Sequence, residues 1–327
     1  MGVSKTLYPL LLTPVYQSYV WGGDRIPRVF GRDLPPGVYA ESWEMSTRPE
    51  GGSVVANGPL AGWTLQALID ETGSALLGTR APAGRMPLLI KLIDARERLS
   101  VQVHPDDEAA ARHGGEAKSE MWIVLAADPG ATVYAGFRPG LSAAEIQEAI
   151  LNHRAATVLR SIPVHPGDAI YIPGGRVHSI GEGCLLLEIQ QNSNTTYRLD
   201  DGDRAGADGK PRALHIPQAL SAIRWTDAGE PRLVPRPVLL PSGRLAEQLW
   251  DGPHYHVERI RLTETEALPG AGGSFQILFL ESGRASLSWA GGVLRLRTGT
   301  SVLVPAVTPV QLDPEDPEVR FIRISLP

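Results

Sequence analysis

The sequence has 327 residues, of which 43% are hydrophobic and 20% are charged, and this combination is typical of a globular protein with one large or two moderate domains. The formal net charge is −5 and no long basic run is present, which argues against a nucleic-acid-binding protein. The single cysteine, Cys184, excludes a disulfide framework and a cysteine-rich zinc site.

The N-terminal segment gives no sign of a targeting or membrane-spanning sequence. Its short apolar run is interrupted by Pro9 and Pro14 and lacks a cleavage site of small residues, so we do not interpret it as a signal peptide. No apolar stretch of the sequence approaches the roughly 18 residues needed to span a bilayer. These features predict a cytoplasmic protein that has neither a membrane nor a nucleic acid as partner.

The pattern of short runs predicts a mainly β protein. The 35 glycines and 28 prolines are scattered between apolar or alternating segments, as in all-β folds with many turns. The predicted strands cover residues 51–56, 87–95, 99–104, 120–127, 131–137, 168–173, 184–191, 275–283, 284–290, 293–297 and 301–306.

Helices are fewer, and each is predicted from its periodicity and its end signals. The predicted helices lie within residues 63–73, 105–115 and 141–153, and a loop in residues 196–220 leads to a fourth, short helix. Ser142 and Glu145 stand in the register of a capping box at the start of the third helix.

A proline-rich, polar stretch over residues 226–244 indicates a connector between two units. It predicts a larger domain over residues 1–230 and a smaller β domain over residues 231–327.

The two predicted units share a sequence pattern. Aligning Gly167 with Gly299 places Pro173 on Pro305, and each copy then reads as a glycine turn, a strand, a proline and a second strand. The hairpin that begins at Glu120 likewise resembles a later one that begins with Phe275. The sequence therefore predicts two copies of one β unit.

The first copy carries a set of polar residues that predicts a metal site. Gln102 and His104 point to the same face of a strand with a two-residue repeat. Glu120 heads an apolar run, where an unpaired charge would cost several kcal/mol unless it binds a partner or a metal. His178 begins a later strand. Two imidazoles and a carboxylate suit a catalytic zinc ion, and Gln102 would add a weaker fourth oxygen or lie beside the ligands.

The alternative to a metal site is structural, because a lone histidine is more often a satisfied structural residue than a ligand. The prediction therefore depends on the three residues converging. His254 and His256 also share one face of a strand. The aligned second copy, however, offers Phe275 in place of Glu120 and Val310 in place of the later histidine, so it predicts no second metal site.

Four ordered segments, `LSVQVHPDDEAA`, `KSEMWIVL`, `HPGDAIYIPGGRVHSI` and `LLLEIQQNSNTTYRLDD`, resemble the type I mannose-6-phosphate isomerases in their shorter bacterial form, which belong to the cupin superfamily. The similarity runs in order over about residues 14 to 220. The resemblance implies two cupin-type (jelly-roll) β-barrels with a few short helices inserted in the N-terminal half. The first would be the catalytic metal-binding domain and the second a cupin-like domain without metal ligands.

The resemblance also implies roles for individual residues. The implied ligands of one zinc ion per chain are Gln102, His104, Glu120 and His178. Arg198 would be the active-site arginine, and Lys118 would transfer protons or contact the substrate. Glu188 is the rival proton-transfer base, and together with Arg204 it matches substrate-binding positions. The stretch after Arg198 is more acidic and glycine-rich than the family pattern, so the residues that bind the phosphate stay open.

The implied activity is the zinc-dependent aldose–ketose isomerisation of mannose 6-phosphate and fructose 6-phosphate through an enediol-type intermediate, whose negative charge the metal stabilises as a Lewis acid. Two other functions stay open: a cupin isomerase or Fe(II) oxygenase acting on another small molecule, and a non-enzymatic sugar-phosphate sensor. A monomer and a dimer are both compatible with the sequence. We assign no role to Trp21, Trp43 and Trp122, because single tryptophans are more often core anchors than sugar-stacking residues.

Overall fold

The computed structural model describes residues 6–202, 204–206, 209–227, 229–240 and 242–327. Within these residues the protein is mainly β, as the scattered glycines and prolines predict. The α-helices are α1 (Arg25–Phe30), α2 (Leu65–Thr72), α3 (Ser74–Leu77), α4 (Asp107–His113), α5 (Ala143–Leu151) and α6 (Ile216–Ala222), and two 3₁₀ turns cover Gly58–Leu60 and Ala155–Val158. None of the helices in the described residues has the length and apolar character needed to cross a membrane.

Antiparallel strands make up the rest of the regular structure. In chain order they are β1 (Leu10–Thr13), β2 (Val15–Gln17), β3 (Glu41–Met45), β4 (Thr47–Arg48), β5 (Gly51–Gly52), β6 (Val54–Val55), β7 (Leu88–Ala95), β8 (Val101–Val103), β9 (Glu120–Ala127), β10 (Thr132–Phe137), β11 (Leu159–Pro163), β12 (Ala169–Ile172), β13 (His178–Ile180), β14 (Cys184–Gln191), β15 (Tyr197–Asp200), β16 (Arg236–Leu239), β17 (Leu245–Asp251), β18 (His256–Leu262), β19 (Glu266–Leu268), β20 (Gln276–Ser282), β21 (Arg284–Trp289), β22 (Gly292–Arg297), β23 (Ser301–Val304), β24 (Val310–Pro314) and β25 (Val319–Ser325).

The predicted helices α2, α4, α5 and α6 are confirmed, and the end signals of α4 and α5 operate as the sequence indicates. Ser142 and Glu145 form the complete capping box of α5, and the Asp106 side chain accepts a hydrogen bond from the amide of Ala109 at the start of α4. The helices α1 and α3 were not predicted. They have only 6 and 4 residues, so their sequences are too short to show a helical periodicity. Helices this short depend on packing for their stability.

The described chain divides into two compact units that alternate along the sequence. The central unit comprises residues 16–43 and 88–233, and the terminal unit comprises the described residues up to Val15 together with 44–87 and 234–327. The assignment of residues 1–230 to a catalytic domain and of 231–327 to a second domain stays a prediction.

The central unit is built on two antiparallel sheets. One has the strand order β11-β10-β13-β8-β15, and the other has the order β12-β9-β14-β7-β3-β2. The strands β7 and β14 are paired along their whole length and almost fully buried. Because both faces of these strands are covered, apolar residues occupy both faces and the sequences show no strict alternation of apolar and polar residues. A polar side chain in either strand therefore lies in an apolar environment.

The terminal unit has sheets of its own. They have the orders β16-β17-β18-β25-β20-β23-β1-β6 and β19-β24-β21-β22, and β4 and β5 form a separate pair. Its core contains aliphatic side chains and the buried Phe321.

The predicted internal repeat is visible in the strand pairing of the two units. In the central unit β9 pairs with β12 and β10 with β13, and in the terminal unit β20 pairs with β23 and β21 with β24. The aligned glycines Gly167 and Gly299 both have positive φ, 95° and 83°, which favours glycine at these turns.

The register corrects one detail of the predicted alignment. Ile172 faces Glu120, whereas the equivalent Val304 faces Gln276. The counterpart of Glu120 is therefore Gln276 and not Phe275. A slip of one residue reverses the face of every side chain in a strand, and the pairing partner fixes the register where sequence similarity is weak.

Candidate metal centre and active site

Three buried side chains converge from three strand ends of the central unit. His104 directly follows β8, Glu120 begins β9 and His178 begins β13. The Nε2 atom of His104 lies 3.4 Å from Oε2 of Glu120, and that of His178 lies 3.3 Å from Oε1. The possible ligand atoms all lie within 4.8 Å of one another. In the part of the chain that the structure describes, this is the one such group of histidine, cysteine and carboxylate residues.

Main-chain carbonyl groups orient both imidazoles. Nδ1 of His104 lies 2.8 Å from the carbonyl oxygen of Thr195, and Nδ1 of His178 lies 2.8 Å from that of Arg176. A carbonyl oxygen can only accept a hydrogen bond, so Nδ1 carries the proton and Nε2 keeps its lone pair. Such bonds hold metal-binding histidines in the required tautomer and orientation.

The burial of the three side chains sets their charge states. Burial lowers the pKa of His104 to about 3, and the nearby Lys118 acts in the same direction. Burial likewise lowers the pKa of His178. Burial alone would raise the pKa of Glu120, but Lys118 and the two histidines outweigh it and hold that pKa well below its ordinary value. Near neutral pH the group therefore offers two neutral imidazoles and a carboxylate, which are the forms that bind metals.

The donor set fits a divalent metal ion. Both carboxylate oxygens of Glu120 are buried without a hydrogen-bond partner of good geometry in the described chain, although the Lys118 ammonium lies 2.9 Å from Oε2. A buried carboxylate with unsatisfied oxygens is unfavourable, and a cation shared with two imidazole lone pairs would satisfy it. The same donors suit catalytic zinc and ferrous iron, so they do not identify the metal.

Gln102 and Lys118 each contact part of this group: Gln102 contacts His178, and Lys118 contacts His104 and Glu120. The amide nitrogen of Gln102 lies 3.3 Å from Nε2 of His178, and its oxygen accepts a hydrogen bond from Ser100. Gln102 would therefore have to exchange the two ends of its amide to offer an oxygen to a metal. Nζ of Lys118 lies 3.1 Å from Nε2 of His104, in addition to its contact with Glu120.

A cavity of about 260 Å³ in the central unit brings several of the predicted residues together. Its lining includes Gln102, Lys118, Glu188 and Arg198. Arg198 lies opposite Gln102 on the neighbouring strand β15, which explains how two distant sequence motifs meet in one cavity. Ser100 and Tyr19 contribute to the same lining.

Lys91 is a polar residue of this cavity that the sequence analysis missed. It is buried on β7 opposite Glu188 on β14, and its Nζ lies 3.3 Å from Glu41 and 3.4 Å from Glu188. Burial acts to lower the pKa of Lys91, but Glu41 and Glu188 raise it above its ordinary value. Burial raises the pKa of Glu188. The signal was a lysine in the middle of the otherwise mostly apolar run `PLLIKLIDA`.

The arginines after β14 separate into two groups. Arg198 and Arg212 line the cavity, whereas Arg204 is not part of its lining. The guanidinium of Arg204 contacts Asp201 and the carbonyl oxygen of Arg98. Asp201 also accepts hydrogen bonds from Nε and Nη2 of Arg212, at 2.6 and 2.5 Å. Arg212 lies in a loop without periodicity, and the sequence held no signal for it.

The three tryptophans left without a role have distinct surroundings. The indole N–H of Trp43 donates to Glu41 at 2.7 Å, and that of Trp122 donates to Glu188 at 3.2 Å. All three tryptophans are buried, and Trp21 also lines the cavity. Trp43 and Trp122 thus hold in place the two carboxylates that pair with Lys91, and we call Lys91, Glu41 and Glu188 the Lys91 cluster.

Comparison with known proteins relates this architecture to one family. Residues 10–134 match the model of the type I phosphomannose isomerase catalytic domain. A mannose-6-phosphate isomerase of Streptococcus mutans is 40% identical over 216 residues, which are 66% of this chain and 67% of that protein. The mannose-6-phosphate isomerase ManA of Bacillus subtilis is 40% identical over 220 residues, 67% of this chain and 69% of that protein.

A solved structure extends the similarity to the whole chain. The crystal structure of the mannose 6-phosphate isomerase from Bacillus subtilis matches 97% of this chain and 99% of its own, with a TM-score of 0.87 and 30% sequence identity. The resemblance read from the four sequence motifs is confirmed, and the chain belongs to the type I phosphomannose isomerases, a family of aldose–ketose isomerases.

Proposed function

We propose that this protein interconverts mannose 6-phosphate and fructose 6-phosphate with one zinc ion held by His104, Glu120 and His178. The observation that carries the proposal is the convergence of two Nε2 lone pairs on a buried carboxylate beside a cavity lined with cations. Family membership supports the substrate. Gln102 would complete the ligand set after its amide rotates.

When bound, a zinc ion supplies Lewis-acid polarisation of the sugar oxygens, which favours an enediol-type intermediate. The protein residues have the tasks of binding the open-chain sugar and moving a proton between its adjacent carbons. Two groups are candidates for this proton transfer. Lys118 contacts both His104 and Glu120, and Glu188 is a buried carboxyl group whose pKa burial raises above its ordinary value.

The phosphate group of the substrate is assigned to Arg198 and Arg212. Nη1 of Arg198 donates to the carbonyl oxygen of Ala213, whereas its Nε is buried without a partner in the described chain. Asp201 engages two nitrogens of Arg212, which fixes the guanidinium and leaves a third nitrogen for an anion. Paired guanidinium groups are well suited to a phosphate because they offer planar sets of donors. The substrate contact predicted for Arg204 stays a prediction.

The experiment measures isomerase activity and metal content together. The purified protein is assayed with mannose 6-phosphate with and without a chelator, and its metals are identified by inductively coupled plasma mass spectrometry. We expect one zinc ion per chain and turnover that the chelator abolishes. His104→Ala and His178→Ala should each lose bound metal and turnover, because two donors cannot hold the ion.

His165→Ala is the matched control, since this histidine lies in the same unit with its side chain 77% exposed. It should retain metal and activity. Full activity of either ligand variant would disprove the proposed metal centre. Iron in place of zinc, with oxygen uptake and no isomerisation, would favour an oxygenase instead.

A further inference from the structure

Asp94 is a buried carboxylate that the proposed chemistry does not use. It lies on β7 with its side chain fully buried, three residues from Lys91. Side chains alternate between the two faces of a strand, so Asp94 and Lys91 lie on opposite faces of β7. The carboxylate accepts two hydrogen bonds from one residue, Arg25: the main-chain amide at 2.7 Å and Nε at 2.8 Å.

The chain before Arg25 is fitted closely against this carboxylate. A Cβ atom added to Gly23 would lie 2.4 Å from Oδ2 of Asp94, a distance that real side chains do not tolerate. The φ angle of Gly23 is not in the left-handed region, so only the approach of Asp94 requires glycine there. The requirement for glycine at position 23 therefore comes from the close approach of Asp94.

The segment held in this way carries part of the cavity wall. Tyr19 and Trp21 line the cavity, and their rings stack with centroids 5.4 Å apart. Trp21 is 4% exposed, whereas Tyr19 is 37% exposed. The amide of Gly22 donates to the carbonyl oxygen of Tyr19, and the carbonyl oxygen of Trp21 accepts from Glu97. The position of these two rings thus depends on how the following residues are fixed to β7.

We propose that Asp94 and Arg25 are positioning residues, a buried ion pair that places the Tyr19–Trp21 wall against the substrate. This inference rests on the proposed function, because the wall is assigned to the sugar-phosphate cavity. The pair contacts neither the three candidate metal ligands nor Lys91, so it acts on substrate binding through the wall and leaves the metal and the proton transfer unchanged.

A matched pair of glycine variants tests the proposal without changing any charge. Gly23→Ala pushes a methyl group into Asp94 and should displace the wall. Gly37→Ala, in the same segment of the chain, meets only the ring of Tyr39 at 3.6 Å, which is an ordinary contact, and neither glycine has a positive φ. We expect Gly23→Ala to raise KM for mannose 6-phosphate about tenfold with kcat within about twofold and zinc content unchanged, because a change that weakens the binding of substrate and transition state equally raises KM and leaves kcat unchanged. Gly37→Ala should behave as the parent protein.

Asp94→Asn is the second variant and keeps the shape of the side chain. An amide accepts on one side only, so its NH₂ group faces one of the two donors of Arg25. The same selective rise in KM is expected. Tyr19→Ala should itself raise KM by removing the ring. Adding Asp94→Asn to Tyr19→Ala should raise KM little further, because both changes act through the same wall.

The outcomes separate the two ideas. A parent protein that does not isomerise mannose 6-phosphate disproves the proposed function and the role of the pair with it. If the parent is active, two results would disprove the positioning role alone. The first is an unchanged KM in Gly23→Ala. The second is a KM of the Asp94→Asn and Tyr19→Ala double variant that rises by the product of the two single-variant factors. Loss of zinc or of kcat at constant KM would also overturn it. If Gly23→Ala does not fold, the Asp94→Asn and Tyr19→Ala combination decides.

Discussion

Lys91 illustrates how single residues of this site depend on their surroundings. It is buried between Glu41 and Glu188, and it lies over the ring of Trp43 with Nζ 5.3 Å from the ring centroid. In water such a group would gain little from its neighbours, but in an apolar environment each charge requires its partners. The lysine thus supplies a positive charge between two buried carboxylates close to the candidate metal ligands.

Lys91→Met is expected to destabilise the protein by about 3 kcal/mol, because it leaves two buried carboxylates without their cation. Urea unfolding at pH 7 measures the change. Lys210→Met, which alters an exposed lysine, should have a negligible effect. Equal stability of the two variants would show that the cluster does not depend on the charge of Lys91.

The arginines give a prediction about substrate affinity. Arg212→Gln should raise KM for mannose 6-phosphate about tenfold or more, since a charge-assisted hydrogen bond contributes roughly 1.5–3 kcal/mol. The zinc content should not change. Arg154→Gln, at an exposed position, serves as control. A larger effect of Arg204→Gln than of Arg212→Gln in steady-state kinetics would assign the phosphate to Arg204 instead, for which the family resemblance implies a substrate contact.

At the scale of elements, the site depends on where strands begin and end. Glu120 and His178 are the first residues of their strands, and His104 follows the last residue of β8. At a strand end the chain can leave the ladder, so polar groups there can meet without disturbing the sheet. The start of β13 is fixed by Arg176, whose Nε and Nη2 donate to Asp227 at 2.5 and 2.7 Å.

This pair predicts a pH dependence of stability. Burial alone would raise the pKa of Asp227, but Arg176 lowers it below its ordinary value of 3.8. A carboxyl group with a lowered folded-state pKa contributes stability above its unfolded pKa and loses it as the pH falls through the folded value. Asp227→Asn should therefore lower the free energy of unfolding by about 1–3 kcal/mol at pH 7. The difference from the parent should shrink below about pH 4. Urea unfolding of Asp227→Asn and of the parent at pH 7 and below pH 4 measures this difference. A difference that does not change with pH would contradict the stabilising role of the Arg176–Asp227 pair.

At the scale of the whole molecule, the predicted metal should act as a stabilising ligand. A ligand that binds only the folded state adds a stability that grows with its concentration over its Kd. A chelator should therefore lower the thermal unfolding midpoint of the parent protein and of His165→Ala by several degrees. The midpoint of His104→Ala should not respond. A response of all three proteins alike would mean that the chelator acts elsewhere.

Local patterns made much of this protein predictable. The strand alternation of Gln102 and His104, the charge at the head of an apolar run and the capping box of α5 are each visible within a few residues. The four ordered motifs identified the family. Sequence alone therefore determined the mainly β fold, the helices with strong end signals and the three residues that converge as a candidate metal centre.

Long-range pairing decided the rest. The partner of Glu120 in the second repeat, the burial of Lys91 between two carboxylates and the choice of Arg212 over Arg204 for the cavity lining all depend on which distant strands and loops become neighbours. The alternation of the two units along the chain also depends on long-range pairing. A residue's immediate sequence fixes its local conformation and the face it presents, whereas the groups that share its buried environment, and hence its charge and role, are set only when the chain has folded.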